Sequence, residues 1–173
     1  MFNASRRALI QATGSGLVLV SAGASAQQRL LPGTVKIVVP FPPGGITDVL
    51  ARGLAQQMTS TLGTPVVVEN RAGANGSIGA TQVARAAPDG LTLLLGVTDT
   101  HAVNPAAMRT LAYDANRDFA PISNVTSVPL VLAVGPTLKD TVNLQAFIAA
   151  AKKQPGKLTH ASWGVGSTSH IAM

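Results

Sequence analysis

Apolar positions along the chain follow two different periods, and the switch between them marks out its elements. Residues 35–39, VKIVV, form a short β-branched run bounded by Pro32-Gly33 and Pro40, the pattern of a strand buried on both faces. From Thr47 to Leu62 the apolar residues Leu50, Leu54, Met58 and Leu62 recur every four positions with Ala51 and Ala55 beside them, which predicts an amphipathic helix stopped by Gly63. PVVVE, residues 65–69, reads as a second strand. A small-residue helix is predicted through Thr81–Ala87, ending at Pro88-Asp89-Gly90, and LTLLLG, residues 91–96, is a third strand.

The character then changes. YDANRDF, residues 113–119, reads as an irregular surface segment. Residues 121–135, PISNVTSVPLVLAVG, predict a long extended run that the interior Pro129 restricts to a sheet edge or a broken strand. A helix is predicted over 144–154, capped by Thr141 or Asn143 and stopped by Pro155-Gly156. The closing LTHASWGVGSTSHIAM predicts a strand, a glycine and serine loop, and the opening of a helix.

Strand, helix, strand, helix, strand with short links describes an α/β layer with a parallel sheet and right-handed crossovers. In such a sheet the loops at the carboxyl ends of the strands form the ligand crevice. Three loops fall there: PFPPGGITD after the first strand, NRAGANGSIG after the second and GVTDTHAVNP after the third. Each is richer in Gly, Pro, Thr, Asn and Asp than the opposite connections, so one edge of the sheet is expected to carry the function.

PFPPGGITD has a definite chemistry. Pro42 and Pro43 stiffen it, while Gly44 and Gly45 let a ligand approach the main chain without a Cβ in the way. Unpaired amides at a helix start, assisted by the helix dipole, favour a carboxylate or phosphate. Thr47 or Asp48 is placed to cap that helix. GVGSTSH, residues 164–170, repeats the pattern with Gly164 and Gly166 opening the backbone before Ser167, Thr168 and Ser169. Two such helix starts, one in each half, predict a guest clamped between lobes.

Other chemistries fit less well. GANGSIG does not follow the G-x-G-x-x-G order, and no G-x-x-x-x-G-K-[ST] occurs. His101, His160 and His170 do not have helical metal-site spacing, and the chain has no cysteine, so neither metal nor cofactor is expected. Ser167, His170 and Asp99 form a nominal triad, yet no G-x-S-x-G elbow accompanies them, and no catalytic residue is assigned.

Charge and composition narrow the setting. Residues 1–26 carry Arg6-Arg7, a moderately apolar stretch and Ala24-Ser25-Ala26, the form of an export signal cleaved after about Ala26. The paired arginines suit the twin-arginine and the ordinary routes equally. Polar residues and glycines dilute the stretch below what a membrane span needs, so the mature chain is expected to be soluble and not membrane-inserted. Beyond residue 26, 11 basic residues stand against seven acidic ones, mostly singly, with only Lys152-Lys153 and Lys157 clustered. With six aromatic residues in all, this is no nucleic-acid surface, although it is compatible with an anionic ligand.

VVPFPPGGITDVLAR, PVVVENRAGANGSIGATQVARAAPDGLTLLLG, THAVNP, YDANRDFAPIS and KLTHASWGVGSTSH together resemble the receptors of the tripartite tricarboxylate transporter system, the Bug family of extracytoplasmic solute receptors. The resemblance runs from about Val35 to Met173. It implies a periplasmic-binding-protein-like fold of type II, two α/β lobes joined by a hinge and closing on small carboxylates. It also implies a periplasmic, non-catalytic protein that hands its solute to membrane transporter subunits. Divided on that basis, residues 1–26 are the signal, 27–120 a first lobe with helices on both sheet faces, and 121–173 a hinge strand and the incomplete beginning of a second lobe. The resemblance places one ligand carboxylate at the loop containing Phe41, Pro43, Gly44, Gly45, Thr47 and Asp48, held by main-chain amides, Thr47 and bridging waters. Ser162, Gly164, Gly166, Ser167, Ser169 and His170 would complete the grip, and Thr98, Thr100 and His101 would line the same cleft. Trp163 stands where the family has a small residue, which leaves the solute open. The family also continues beyond residue 173, so an isolated chain of this length is expected to expose apolar surface and to form a poor cleft. A ligand sensor or interaction protein on the same fold, or a small secreted hydrolase using Ser167 and His170, are the alternative readings.

Overall fold

The computed structural model describes residues 31–173; the export signal expected over residues 1–26 lies outside the described residues. The first strand, β1 (Val35–Val39), is the middle of a parallel three-stranded sheet. It pairs on one side with β2 (Val66–Asn70), Ile37 opposite Val68, and on the other with β3 (Thr92–Leu94), Ile37 opposite Leu93. The pairing continues past the strand ends, where the Arg71 amide donates to Val39 O (2.8 Å) and the Leu95 amide to Val38 O (3.0 Å).

The strand order β2-β1-β3 means that the chain leaves β1 in one direction and crosses back over it to reach β3. With right-handed crossovers, the helix α1 (Ile46–Leu62) and the helix α2 (Ser77–Ala84) lie on opposite faces of the sheet. β1 is therefore covered twice, which is why a continuous apolar run suits it: Val35, Ile37, Val38 and Val39 are all buried. Alternation turns Ile37 and Val39 toward α1, where they join Ala51, Ala55 and Leu95, with Leu50, Leu54 and Met58 packed around them. α1 stops as expected at Gly63, whose left-handed conformation (φ 62°) lets its amide return to Thr59 O. On the other face Gly79 of α2 presses on the end of β1; a Cβ there would lie 2.9 Å from Arg71 O and 3.0 Å from Pro40 Cα.

Three expectations are corrected. α2 starts at Ser77 rather than Thr81, because the glycine-rich stretch before it closes into a 3-10 turn over Ala74–Gly76 that launches the helix. GVTDTHAVNP is not an open loop: Asp99–Val103 form a π-type turn that runs into the short helix α3 (Asn104–Ala107). Residues 113–119 are irregular and largely exposed as expected, yet pinned at one end, since Tyr113 is buried, its hydroxyl donates to Thr100 O, and its ring meets Phe119 edge-on. Neither 121–135 nor the stretch from Leu158 to Ala161 forms a strand; among the described residues no neighbour supplies the ladder, and Val131 is 83% exposed. The helix α4 (Leu144–Lys153) does form, capped by the Asn143 side chain, which accepts from the Ala146 amide (2.9 Å). The helix α5 (Thr168–Ile171) closes the chain.

The two helical glycines make a matched test. Gly53→Ala in α1, where a Cβ meets nothing within 4 Å, is expected to stabilise the protein by roughly 0.5–1 kcal/mol. Gly79→Ala, equally favourable for a helix in isolation, is expected to destabilise it by roughly 1–3 kcal/mol because main-chain atoms block the new methyl. Chemical denaturation checks both; equal shifts in the same direction would show that α2 is not seated on β1 as described.

Candidate functional site

The three carboxyl-edge loops converge where the strand order reverses, beside β1 and β3. A Cβ built on Gly76 would meet Thr100 Cγ2 at 2.8 Å, Pro40 Cβ at 3.3 Å and Phe41 Cζ at 3.4 Å, so residues following all three strands touch at this one glycine.

The loop between β1 and α1 is held from below by a polar network. Asp48, in the first turn of α1 and buried, receives the Gly44 amide on Oδ2 (3.0 Å), Arg52 Nε on the same oxygen (3.0 Å) and Asn70 Nδ2 on Oδ1 (2.9 Å). Asn70 Nδ2 also donates to Phe41 O (3.2 Å), and Arg52 Nη2 reaches Asn70 Oδ1 (3.3 Å). Asp48 thus ties the end of β2, the first turn of α1 and both halves of the loop together. Its carboxyl is held down at about 2 by Arg52 first, then by the Gly44 amide and Asn70. Glu69, also held at about 2, is clamped by Lys36 and Arg71. With its carboxylate engaged in this way, Asp48 positions the loop.

The start of α1 itself is open. Its cap position is Gly45, in extended geometry (φ −75°, ψ 170°), and no side chain caps the helix. Pro43, Gly44, Gly45 and Ile46 are exposed and Thr47 is half-buried. Gly44 needs its freedom (φ 87°), and a Cβ there would meet nothing within 4 Å. The result is a helix start without a side-chain cap at the positive end of a 17-residue helix, where a negative charge is electrostatically favoured.

The second glycine loop differs. Its amides are already taken by the protein: Gly164 N donates to Ser162 Oγ (3.3 Å), Gly166 N to His170 Nδ1 (3.4 Å), and Trp163 N to Ser169 Oγ (3.1 Å). Ser167, fully buried, donates to Gly164 O (2.7 Å) and caps α5 by accepting from the His170 amide (3.3 Å). The Thr168 amide donates to Asp99 Oδ1 (2.6 Å), and the Thr168 hydroxyl meets the same oxygen. This geometry disposes of a triad: Asp99 engages Thr168, the Ser167 hydroxyl is turned to a carbonyl, and His170 Nδ1 accepts a main-chain amide. The loop does reach the others, because Asn75 Nδ2 donates to Gly166 O (3.2 Å).

After β3, Thr98 is exposed at the edge, whereas Thr100 is fully buried and its hydroxyl donates to Val97 O (2.9 Å). His101 lies edge-on to Phe119, ring centroids 4.9 Å apart, with Nδ1 2.8 Å from Thr100 Oγ1. Partial desolvation draws its pKa below the ordinary imidazole range, so it offers hydrogen bonding rather than charge at neutral pH. Two grooves, about 370 Å³ against Arg52, Ala55 and Val68 and about 650 Å³ around Pro105, Tyr113 and Asn116, lie away from this convergence and contain none of the loop glycines.

Asn70, Asn75 and Asn104 are organising residues that motif reading passed over, and Asp99, named there only as a nominal triad member, is another. Asn75 sits within four successive positive φ angles, Gly73 to Gly76 (130°, 47°, 50° and 82°). Two non-glycine residues there cost roughly 1–2 kcal/mol each. Asn75 offsets this by donating to Asn104 Oδ1 (2.9 Å), while Asn104 Nδ2 donates to Asn75 O (2.9 Å). An asparagine directly before a glycine, a residue type that tolerates the left-handed region, was the available signal.

Residues 50–173 match the model of the tripartite tricarboxylate transporter family receptor, TctC. The chain belongs to that receptor family. It is 46% identical over 138 residues to protein BugT of Bordetella pertussis, covering 79% of this chain and 42% of BugT. Among solved structures it resembles Rpa4515 of Rhodopseudomonas palustris with adipate (37% identity, TM-score 0.75, 82% of this chain and 47% of that one). It also resembles MatC of the same organism with bound malate (39% identity, TM-score 0.69, 79% and 46%). The fold class read from the sequence, a periplasmic-binding-protein-like α/β fold, is therefore the one present. The chain spans less than half the length of BugT and of these structures.

The Asp48 network carries a pH signature. Both Asp48 and Glu69 have folded pKa values lowered from ordinary carboxylate values to about 2, so their stabilisation is fully present above roughly pH 4–5 and is lost as the pH falls toward 2. Stability measured by denaturation from pH 6 to 2 is expected to fall steeply in that window, and Asp48→Asn with Glu69→Gln to flatten the fall. An unchanged slope in the double variant would show that other carboxylates dominate.

Proposed function

We propose that this protein is an extracytoplasmic, periplasmic solute receptor that binds a small carboxylate-bearing compound and delivers it to the membrane subunits of a tripartite tricarboxylate-type secondary transporter. The observation that carries the reading is the uncapped start of α1, exposed at the switch point on a loop that Asp48, Asn70 and Arg52 hold rigid. One carboxylate docks on the amides of Gly45, Ile46 and Thr47, with the Thr47 hydroxyl beside it and Phe41 and Pro43 shaping the approach. Thr98 and His101 line the edge nearest β3, and the Ser162–His170 segment closes the far side, with Thr100 and Ser167 as buried supports. Family membership supports the role, and the malate and adipate bound to MatC and Rpa4515 support the ligand class. Among the described residues no helix is long and apolar enough to cross a membrane.

A thermal-shift screen of the protein as its host produces it, against mono-, di- and tricarboxylates, amino acids and uncharged sugars, tests the reading. Stabilisation by at least one carboxylate is expected. Gly45→Val, whose side chain enters the mouth without leaving allowed backbone geometry, is expected to cut that affinity about tenfold or more with little change in melting temperature. Stabilisation by sugars and by no acid would overturn the assignment.

A further inference from the structure

The second glycine loop is fastened to the rest of the molecule at few points. Among the described residues, hydrogen bonds join residues 162–171 to the carboxyl-edge turns at two places, one on each side of the fully buried Ser167. The Thr168 amide and hydroxyl go to Asp99 Oδ1, while Gly166 O accepts from Asn75 Nδ2 (3.2 Å). The first fastening carries a charge and two donors. The second is a single neutral bond, and the residue that makes it serves another partner as well.

Asn75 has one side-chain nitrogen with two hydrogens to give. One goes to Asn104 Oδ1 (2.9 Å), at the start of α3, and the other to Gly166 O. Asn104 is 1% exposed and returns its own Nδ2 to Asn75 O (2.9 Å). The turn after β2, the helix after β3 and the second glycine loop therefore meet at one side chain.

The main chain does not ask for asparagine here. Its dihedrals (φ 50°, ψ 41°) are left-handed, a region that glycine enters at lower cost, and the turn is closed by a main-chain bond from the Gly76 amide to Gly73 O (3.0 Å). A residue kept in a costly conformation is retained for what its side chain does. At Asn75 that is the joining of three segments.

We propose that Asn75 is a positioning residue of the receptor: by dividing its amide between Asn104 and Gly166 it sets the second glycine loop against the carboxyl-edge turns, and so governs how long a bound solute is retained. This rests on the carboxylate-receptor reading, in which capture belongs to the start of α1. Capture and retention are then assigned to different residues, and a change at Asn75 acts on the release rate alone.

Two glycine substitutions in the same turn test this. Asn75→Gly keeps the left-handed turn and removes both side-chain bonds. Ala74→Gly relieves the same kind of backbone strain (φ 47°) without removing a side-chain bond, and is the control. In the protein as its host produces it, Asn75→Gly is expected to speed amide hydrogen exchange in residues 162–171 by about tenfold, with β1 protected as before. Stopped-flow measurements with malate, succinate, glutamate and adipate are expected to show release about three- to tenfold faster and association unchanged. Asn75→Asp, which turns a carboxylate toward the oxygens of Asn104 and Gly166, is expected to shift release in the same direction, and Ala74→Gly to shift neither quantity. A merely structural role would lower protection in β1 and slow association as well, and that pattern overturns the proposal. Faster exchange with unchanged release overturns it too, because the loop would then be loosened without consequence for the solute. If wild type binds none of the four acids, the receptor reading falls and this inference with it; if it binds one and Asn75→Gly releases it at the wild-type rate, only the role of Asn75 is refuted.

Discussion

The strand β1 is paired along both edges and covered on both faces, and everything that follows it inherits that rigidity. Its main-chain groups are committed to β2 and β3, and its apolar side chains to α1 on one side and the α2 face on the other. A strand held in this way has no freedom at its carboxyl end, so the amides that come next are aimed by the sheet. Because β2 and β3 flank β1 on opposite sides, the chain diverges above it, and the space left is the crevice.

Rigidity of the scaffold would be wasted if the loop itself could collapse onto its own donors. The Asp48 carboxylate prevents this from behind. It draws in the Gly44 amide, Asn70 and Arg52, and leaves the start of α1 with no side-chain cap among the described residues. One carboxylate is thus used to hold the frame of a site proposed to receive another, and it does so from under the loop, leaving the front of the loop free of its charge.

The opposite wall is built on a different principle. There the glycine-rich segment folds back on itself through Ser162, Ser167, Ser169 and His170, and reaches the turns after β2 and β3 through Asn75 and Asp99. Two loops with similar composition therefore do different work. In the first, glycine exposes donors; in the second, neighbouring hydroxyls consume them. Composition does not distinguish these outcomes, because both need small residues and permissive dihedrals.

That difference marks the limit of what the residues state on their own. β1, α1 and its stop at Gly63, and the Asn143 cap depend on interactions spanning a few positions, so their periodicities and punctuation were readable directly, and the motif runs were specific enough to indicate the receptor family. The run at 121–135 has the apolar content of a strand, but a strand exists only with a partner, and none of the described residues provides one. GVTDTHAVNP has the composition of a loop, yet burial of Thr100 and the bond from Tyr113 wind it into a helical turn. In the sequence Asp99 stood out only as the acid of a nominal triad. Its meaning lies in a donor 69 residues away, and only the tertiary structure decides such a pairing, because the energy of a buried charge depends on which groups the fold brings to it rather than on its neighbours in sequence.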